Sequence, residues 1–442
     1  MSRPIQVRDP LHVFVEVAAA ERLVFDCPAF QRLRHIHQLA LCYLVYPGAT
    51  HRRFEHSLGV MELASRIFDV VTDQGNLTDQ ARSIVPDDPH KLHYWRQVLR
   101  VAALCHDTGH LPFSHAAEKE LLPAGTSHES LSEAVVRSPQ MLQVWKEMKL
   151  DADDIVALAN GPADETPLGP WEAILSEIIT GNVFGADRID YLLRDSLHTG
   201  VAYGRFDHHR LIESLRILPP APTGGTDAES SVEPTLGVTA GGLQSAEALV
   251  LARYFMFSQV YLHRVRRIYD IHLKDFLQAW LPDGRFSLEL DDHLAMTDNE
   301  VNAAMSSAAR DPAAPGHVHA ARIAERKHFK TLYKPTASDV ERNAAGAKQL
   351  YDAAVEKFGA EEVRYDRYSK DGGSNVFPVV ERDDRVVASS GASDVLGTVP
   401  TAISHYVFVS RERYTQAHTW MTTNLQDITA LRAEDEDLEE GQ

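Results

Sequence analysis

The stretch VLRVAALCHDTGHLPFSH, residues 98–115, constrains the fold more than any other part of the chain. It reads as an apolar helix that runs straight into polar, metal-competent side chains, after which Gly109 and Pro112 break it. Successive helical positions are about 100° apart, so His106 and Asp107 cannot share a face, but both can reach one metal ion at a helix end. A neutral imidazole beside a carboxylate suits a first-row divalent ion better than magnesium, which prefers octahedral oxygen surroundings. Two ligands do not make a site. The fold must therefore bring distant segments to this helix end.

Two segments offer further ligands. His56 in HRRFEHSLGV and Asp187 in NVFGADRIDYLLRDS each stand where an apolar helical pattern begins. In the second, Asp187, Tyr191 and Asp195 are spaced i, i+4, i+8, which puts a ligand, a phenol and a second carboxylate on one helix face. Two histidines and two aspartates set a formal −2 against a +2 ion and leave positions for water and a phosphate oxygen, the setting in which bound water becomes a nucleophile near neutrality. A His-Asp pair at a helix end more commonly caps or salt-bridges that end. What favours a site is the added presence of His110, His115 and His128, since so many polar rings are costly to explain as core packing.

Composition narrows the partners. The formal charge of −19 speaks against a protein that coats nucleic acid by counterion release, so an anionic substrate needs a local basic pocket; nucleic acid is possible but not favoured. The first apolar stretch, LHVFVEVAAA, is broken by Glu16 and lacks a basic lead-in, and no apolar run approaches the roughly 18 residues of a membrane span. The reading is a cytoplasmic protein that keeps its N-terminus and has no membrane partner. Cys27, Cys42 and Cys105 are too few and too scattered for a disulfide framework or a thiolate zinc site, and read as reduced, buried thiols.

Helical periodicity dominates to about residue 290, interrupted by the turn-rich PPAPTGGTDAESSVEPT and by LGVTAGG, a short strand of an inserted hairpin. Beyond AARDPAAPG, the segments FKTLY, VRYDRY, VFPVV, RVVASS and HYVFVS read as strands around one helix, DVERNAAGAKQLYDAAVEKFG. The expected fold is mainly α: a helical catalytic domain over 1–290 with a hairpin or loop insertion at about 219–243, a linker over 291–325, a smaller α+β domain over 326–425, and an acidic tail over 426–442.

The segments FQRLRHIHQLALCYLVYPGATHRRFEHSLGV, LCHDTGHLPFSH, SHES and ADRIDYLLRDSLHTGV, in that order, resemble the HD-domain deoxynucleoside triphosphate triphosphohydrolases, over roughly residues 5–280. That resemblance implies an all-α HD fold and a divalent ion, Fe, Mn, Zn, Co or Ni, on His56, His106, Asp107 and Asp187. It also implies hydrolysis of a dNTP, carried in with Mg, to deoxynucleoside and tripolyphosphate, and a homo-oligomer. It gives Gln38 and Leu39 to the deoxyribose and Arg53 to the triphosphate. His110, His115 and His128 become the histidines around the α-phosphate, Tyr191 and Asp195 the sugar-side pair, and Arg253 and Tyr261 a phosphate and base or sugar contact.

Two positions depart from the family pattern. Arg188 stands where relatives often have lysine, keeping the charge with different hydrogen-bond geometry, and Glu118 stands where some have aspartate three residues after His115. Arg53, Arg188 and Arg253 would neutralise most of a triphosphate, while His115, oriented by Glu118, would protonate the departing 5′ oxygen. The same metal set could serve a phosphodiesterase or nuclease acting on a cyclic or signalling nucleotide or single-stranded DNA; a nucleotide-binding sensor or scaffold is the non-enzyme alternative.

Overall fold

The computed structural model describes residues 3–114, 118–161, 167–221, 233–369 and 376–430, which leaves His115 outside it. The elements that matter below begin with strands β1 (Ile5–Asp9) and β2 (Val13–Val17), followed by helices α1 (Arg53–Val71), α2 (Pro89–Cys105), α3 (His128–Val136) and α4 (Ala186–Thr199). Strands β3 (Leu215–Leu218) and β4 (Thr235–Thr239) precede α5 (Leu243–Met256), α6 (Arg264–Trp280), α7 (Leu290–Ala295), α8 (Asp298–Ala308) and α9 (His317–Ala324). Helices predominate, as the periodicity predicts.

The described residues fall into two compact units, one drawn from 1–256, 281–304 and 372–400, the other from 257–280, 305–371 and 401–442. In the first, α1 is the central rod. Its N-terminus is fixed by Glu55, whose carboxylate accepts the Arg52 N–H at 2.9 Å, and its length is buried from Phe54 through Val71 on the faces that meet α2 and α4. Helix α2 starts at Pro89, behind an Asp88 cap that accepts the His90 N–H, and buries Val98 through Cys105. Helix α4 ends where Gly200 turns left-handed at φ +77° and returns its N–H to Ser196.

Several expected boundaries move. The inserted hairpin exists as β3 paired antiparallel with β4, but its first strand starts at Leu215, and residues 222–232 lie outside the described residues. Strand β4 also pairs in parallel with Pro378–Val380, Val238 facing Val379, so VFPVV and RVVASS belong to a sheet of the first unit rather than to a C-terminal domain. Sequence periodicity cannot reveal a pairing between strands so far apart in the chain. The stretch 291–325 is not a linker: it forms α7, α8 and α9, with Val301, Ala320 and Ile323 buried. The second unit takes α6, from the stretch assigned to the catalytic domain.

Within that second unit, Lys330–Tyr333, Ile403–Val409 and Val363–Ser369 form a three-stranded antiparallel sheet with the Ile403 strand central. Leu350 and Ala354 pack with Val363, Val407 and Ala417 in its core. The helix expected over DVERNAAGAKQLYDAAVEKFG is two, Ala337–Arg342 and Gly346–Phe358, because Asn343 adopts an extended backbone. Helix Tyr414–Ile428 runs into the expected acidic tail, whose residues 431–442 lie outside the described residues. Among the described residues, no helix is long and apolar enough to cross a membrane.

Candidate metal centre and active site

The C-terminus of α2 and the N-termini of α1 and α4 meet around four side chains. His56 Nε2 lies 3.0 Å from Asp187 Oδ1 and 3.7 Å from Asp107 Oδ2; His106 Nε2 lies 3.3 Å from Asp107 Oδ1 and 3.7 Å from Asp187 Oδ1. Each histidine is held from behind. The Nδ1 of His106 meets the Ala103 carbonyl at 2.8 Å, and the Nδ1 of His56 meets Asp190 Oδ2 at 2.8 Å; a carbonyl and a carboxylate only accept, so both Nδ1 atoms carry the proton. His106 Nε2 is then the ring nitrogen left for a ligand, buried without a hydrogen-bond partner and facing carboxylate oxygens. Asp107 and Asp187 call for positive charge at this point, as protons on the rings or as a cation in their place, so these donors fit a divalent ion.

Charge at the cluster agrees. Burial alone would push the His56 ring down, but its bonds to Asp187 and Asp190, with Asp107 close by, raise it to about 10. Burial likewise opposes the Asp187 and Asp107 carboxylates, yet His106 and His56 on the one, and Arg53, His106 and His110 on the other, hold both far below the usual range. Three aspartates thus attract positive charge to one point.

Asp190 is a participant that the sequence reading passed over. Besides His56 it takes His12 Nε2 at 2.8 Å and both the Nε and an Nη of Arg194, which also reaches Asp9 across the fold. All of these side chains are buried, and removing one partner of such a set costs about 3–5 kcal/mol. The network explains Gly59 in the middle of α1: a Cβ there would stand 1.9 Å from Asp190 Oδ1. A glycine inside an apolar helix, together with aspartate and arginine four apart on a second helix, is the signal that could have found it.

The remaining expected residues are placed as follows. Arg53 donates to Asp107 and, through Nε, to Ser114 Oγ at 2.8 Å. The rings of His110 and His128 stack at 3.9 Å, and His110 Nε2 lies 3.2 Å from Asp107 Oδ1. Glu118 accepts both the backbone N–H and the Nδ1–H of His128, at 2.8 and 2.7 Å; His115, for which Glu118 was expected, lies outside the described residues. Burial, then Arg53 and His128, keep His110 well below the usual histidine range and hence neutral. The stack depends on Gly109, where a Cβ would meet the Ser132 nitrogen at 2.2 Å.

On α4, Asp195 faces His51 Nε2 at 2.7 Å, and the His51 ring stacks on His198. Tyr191 is raised by burial, an effect that Arg188 and Arg253 partly oppose. Arg188 is buried with Nε and one Nη lacking hydrogen-bond partners, and Gln38 Oε1 is likewise buried and unpartnered. Leu39 is buried beside it in the chain. Arg253 lies on α5, and Tyr261 is buried at the end of a π-helical turn, Phe257–Tyr261, where its ring meets Phe257 edge-on.

Comparison with known proteins identifies the domain that carries these residues. The HD domain family matches residues 53–192, and the HD associated region matches residues 206–369. The crystal structure of a hypothetical protein from Aquifex aeolicus superposes with a TM-score of 0.76 at 31% identity, covering 94% of this chain and 99% of that one. An uncharacterized protein of Methanocaldococcus jannaschii is 36% identical over 271 residues, 61% of this chain and 48% of that protein. The deoxynucleoside triphosphate triphosphohydrolase SAMHD1 of Gallus gallus is 32% identical over 234 residues, 47% of this chain and 36% of that enzyme. The chain spans about half the length or less of these curated relatives. With the four ligand-competent residues inside the HD match and a solved relative covered almost end to end, the chain belongs to the HD-domain phosphohydrolase family, with an HD domain followed by an HD associated region.

Proposed function

We propose that this protein hydrolyses deoxynucleoside triphosphates to deoxynucleoside and tripolyphosphate at the His56, His106, Asp107 and Asp187 cluster. The observation that carries the reading is the buried, partnerless Nε2 of His106 facing two carboxylates, within one hydrogen-bond network of the stacked His110 and His128. A divalent ion held there supplies Lewis acidity to the phosphate and a lowered pKa to water. Likeness to the SAMHD1 triphosphohydrolases supports the substrate class.

The chain's own groups then divide the work. Arg188, with two buried guanidinium nitrogens free of partners, is the side chain best prepared to take phosphate oxygens; Arg53 is already committed to Asp107 and Ser114, and Arg253 adds charge on α5. Tyr191 and Asp195, one turn apart on α4, take the sugar side, with Gln38 and Leu39. Proton delivery to the 5′ oxygen falls to the set His110, His115 and His128. Within it Glu118 holds the Nδ1–H of His128 and so fixes its ring, and His110 is kept neutral.

The test is product analysis of the Mn- or Fe-loaded protein with the four dNTPs in heavy-oxygen water. Attack at the α-phosphorus with the 5′ oxygen leaving puts the label in tripolyphosphate and none in the nucleoside. Deoxynucleoside monophosphate and pyrophosphate would reverse the leaving group. Turnover confined to a cyclic dinucleotide or to single-stranded DNA would replace the substrate.

A further inference from the structure

We propose that Asp298, seconded by Arg32, is a positioning residue that sets the loop between the metal ligands and the catalytic histidines, a claim that rests on the hydrolase reading above. Residues 106–114 leave α2 and carry Asp107, His110 and Ser114. One side of this loop is pinned by Ser132 of α3, whose hydroxyl accepts the Gly109 N–H and donates to the His106 carbonyl. Its other side is held from the turn between α7 and α8. There Asp298 Oδ1 accepts the Phe113 N–H at 2.7 Å, while Oδ2 accepts the His37 N–H at 2.8 Å and the His37 ring nitrogen.

Arg32 completes the grip. Its Nη1 donates to the His110 carbonyl at 2.9 Å, and its Nε and Nη2 donate to the Met296 carbonyl at 3.1 and 2.8 Å. Three loop residues, His110, Phe113 and Ser114, are thus tied to the segment Met296–Asp298 or to what it holds, because Ser114 Oγ donates to the carbonyl of the same His37.

Two features separate this from ordinary packing. Phe113 and Ser114 both stand at φ +58°, a left-handed backbone that residues with side chains keep only when held. And the bonds end on active-site neighbours: His37 precedes Gln38, and Ser114 receives Arg53 Nε. Asp298 is bonded to none of the metal ligands among the described residues. Its loss should therefore disturb histidine placement and leave metal binding intact.

The experiment uses the full chain, metal-loaded, as Asp298→Ala and the milder Asp298→Asn, which keeps one acceptor oxygen. Metal content by mass spectrometry and the KM of the best dNTP should match the unsubstituted protein. The kcat should fall by about 10²-fold for alanine, the scale of an ångström-level misplacement, and by less for asparagine. Amide exchange of peptides covering 107–114 should rise at least about tenfold, while those covering 56–71 stay unchanged. Unchanged exchange at 107–114, or a kcat loss that tracks lost metal, would overturn the proposal. Should the unsubstituted protein turn over no dNTP, the substrate reading fails, and the exchange comparison still decides whether Asp298 holds the loop.

Discussion

Among the described residues three groups of metal-competent side chains have ligand atoms within 4.8 Å of one another; beside His110, Glu118 and His128, the two to compare are His56, His106 and Asp107 in the first unit and His272, Asp275 and His319 in the second. By residue type they are equals. Their surroundings differ in balance, although Asp107 too holds an arginine, Arg53. Around the first stand Asp187 and Asp190, and the rings are turned by acceptors so that Nε2 points inward. In the second, His272 Nε2 already accepts the Phe329 N–H at 3.3 Å, which places the ring proton on Nδ1, and Asp275 Oδ2 already holds Arg364 Nε at 3.0 Å. Arg322 and Arg364 both lie over the Phe329 ring. Burial, then Arg322, His319 and Arg364, push His272 down to about 2. Two unit charges about 4 Å apart repel by about 4 kcal/mol at an effective dielectric of about 20, so a divalent ion beside this guanidinium is disfavoured. Proximity of histidine and aspartate proposes a metal site; the sign of the second layer of charge decides it.

The largest effect should come from the carboxylates of the first cluster. Asp187→Asn removes an inner oxygen and should bring bound metal and turnover to background, whereas Asp190→Asn acts through His56 and should weaken metal by about 10–100-fold with residual turnover restored at high metal. Equilibrium dialysis against Mn with parallel rate measurements distinguishes the two. Equal metal affinity in all three proteins would break the comparison, since carboxylate charge would not then be what makes this cluster a metal site.

That pair also marks how far the sequence is legible. His56, the His106-Asp107 doublet and Asp187 stand out because each interrupts an apolar helix with a group that has no packing purpose. Asp190 looks like one more polar residue on an amphipathic helix, and its role rests on Gly59, 131 positions earlier, leaving room for it. Asp298 is harder still: its partner Phe113 is 185 residues away, and the stretch around it has the composition of a connection. Local periodicity reads helices. It cannot read the parallel pairing of Val238 with Val379, which moves two strands out of the expected C-terminal domain.

A smaller effect tests the electrostatics of the second cluster. The folded value of His272, about 2, lies below its ordinary 6.5, so between these limits the unfolded chain binds more protons than the folded one. The stabilisation is complete above pH 6.5 and is lost as the pH falls toward 2. Between about pH 6.5 and about pH 5 this group should cost on the order of 1–2 kcal/mol. His272→Gln, whose amide oxygen can still accept the Phe329 N–H, should lose stability less steeply over that interval. Urea midpoints of both proteins at the two pH values give the difference in slope. Parallel slopes would mean that His272 is charged in the folded state, and so that the arginines do not dominate the cluster.

The smallest expected effect is the sharpest discriminator. His319→Ala removes one of the three metal-competent groups of the second unit, and bound metal should not change. The side chain is partly exposed, and its nearest carboxylate oxygen, Asp275 Oδ2 at 3.6 Å, keeps Arg364 at 3.0 Å when the ring is gone. Stability should shift by no more than about 1 kcal/mol, as for a substitution that opens no cavity and strands no charge. Metal analysis after dialysis against excess Mn or Zn should return one ion per chain for both proteins. Two ions in the unsubstituted protein and one in the variant would show that His319 and its neighbours bind a cation despite Arg322 and Arg364. Residue type would then outweigh surrounding charge, and the His106 argument would lose its electrostatic half.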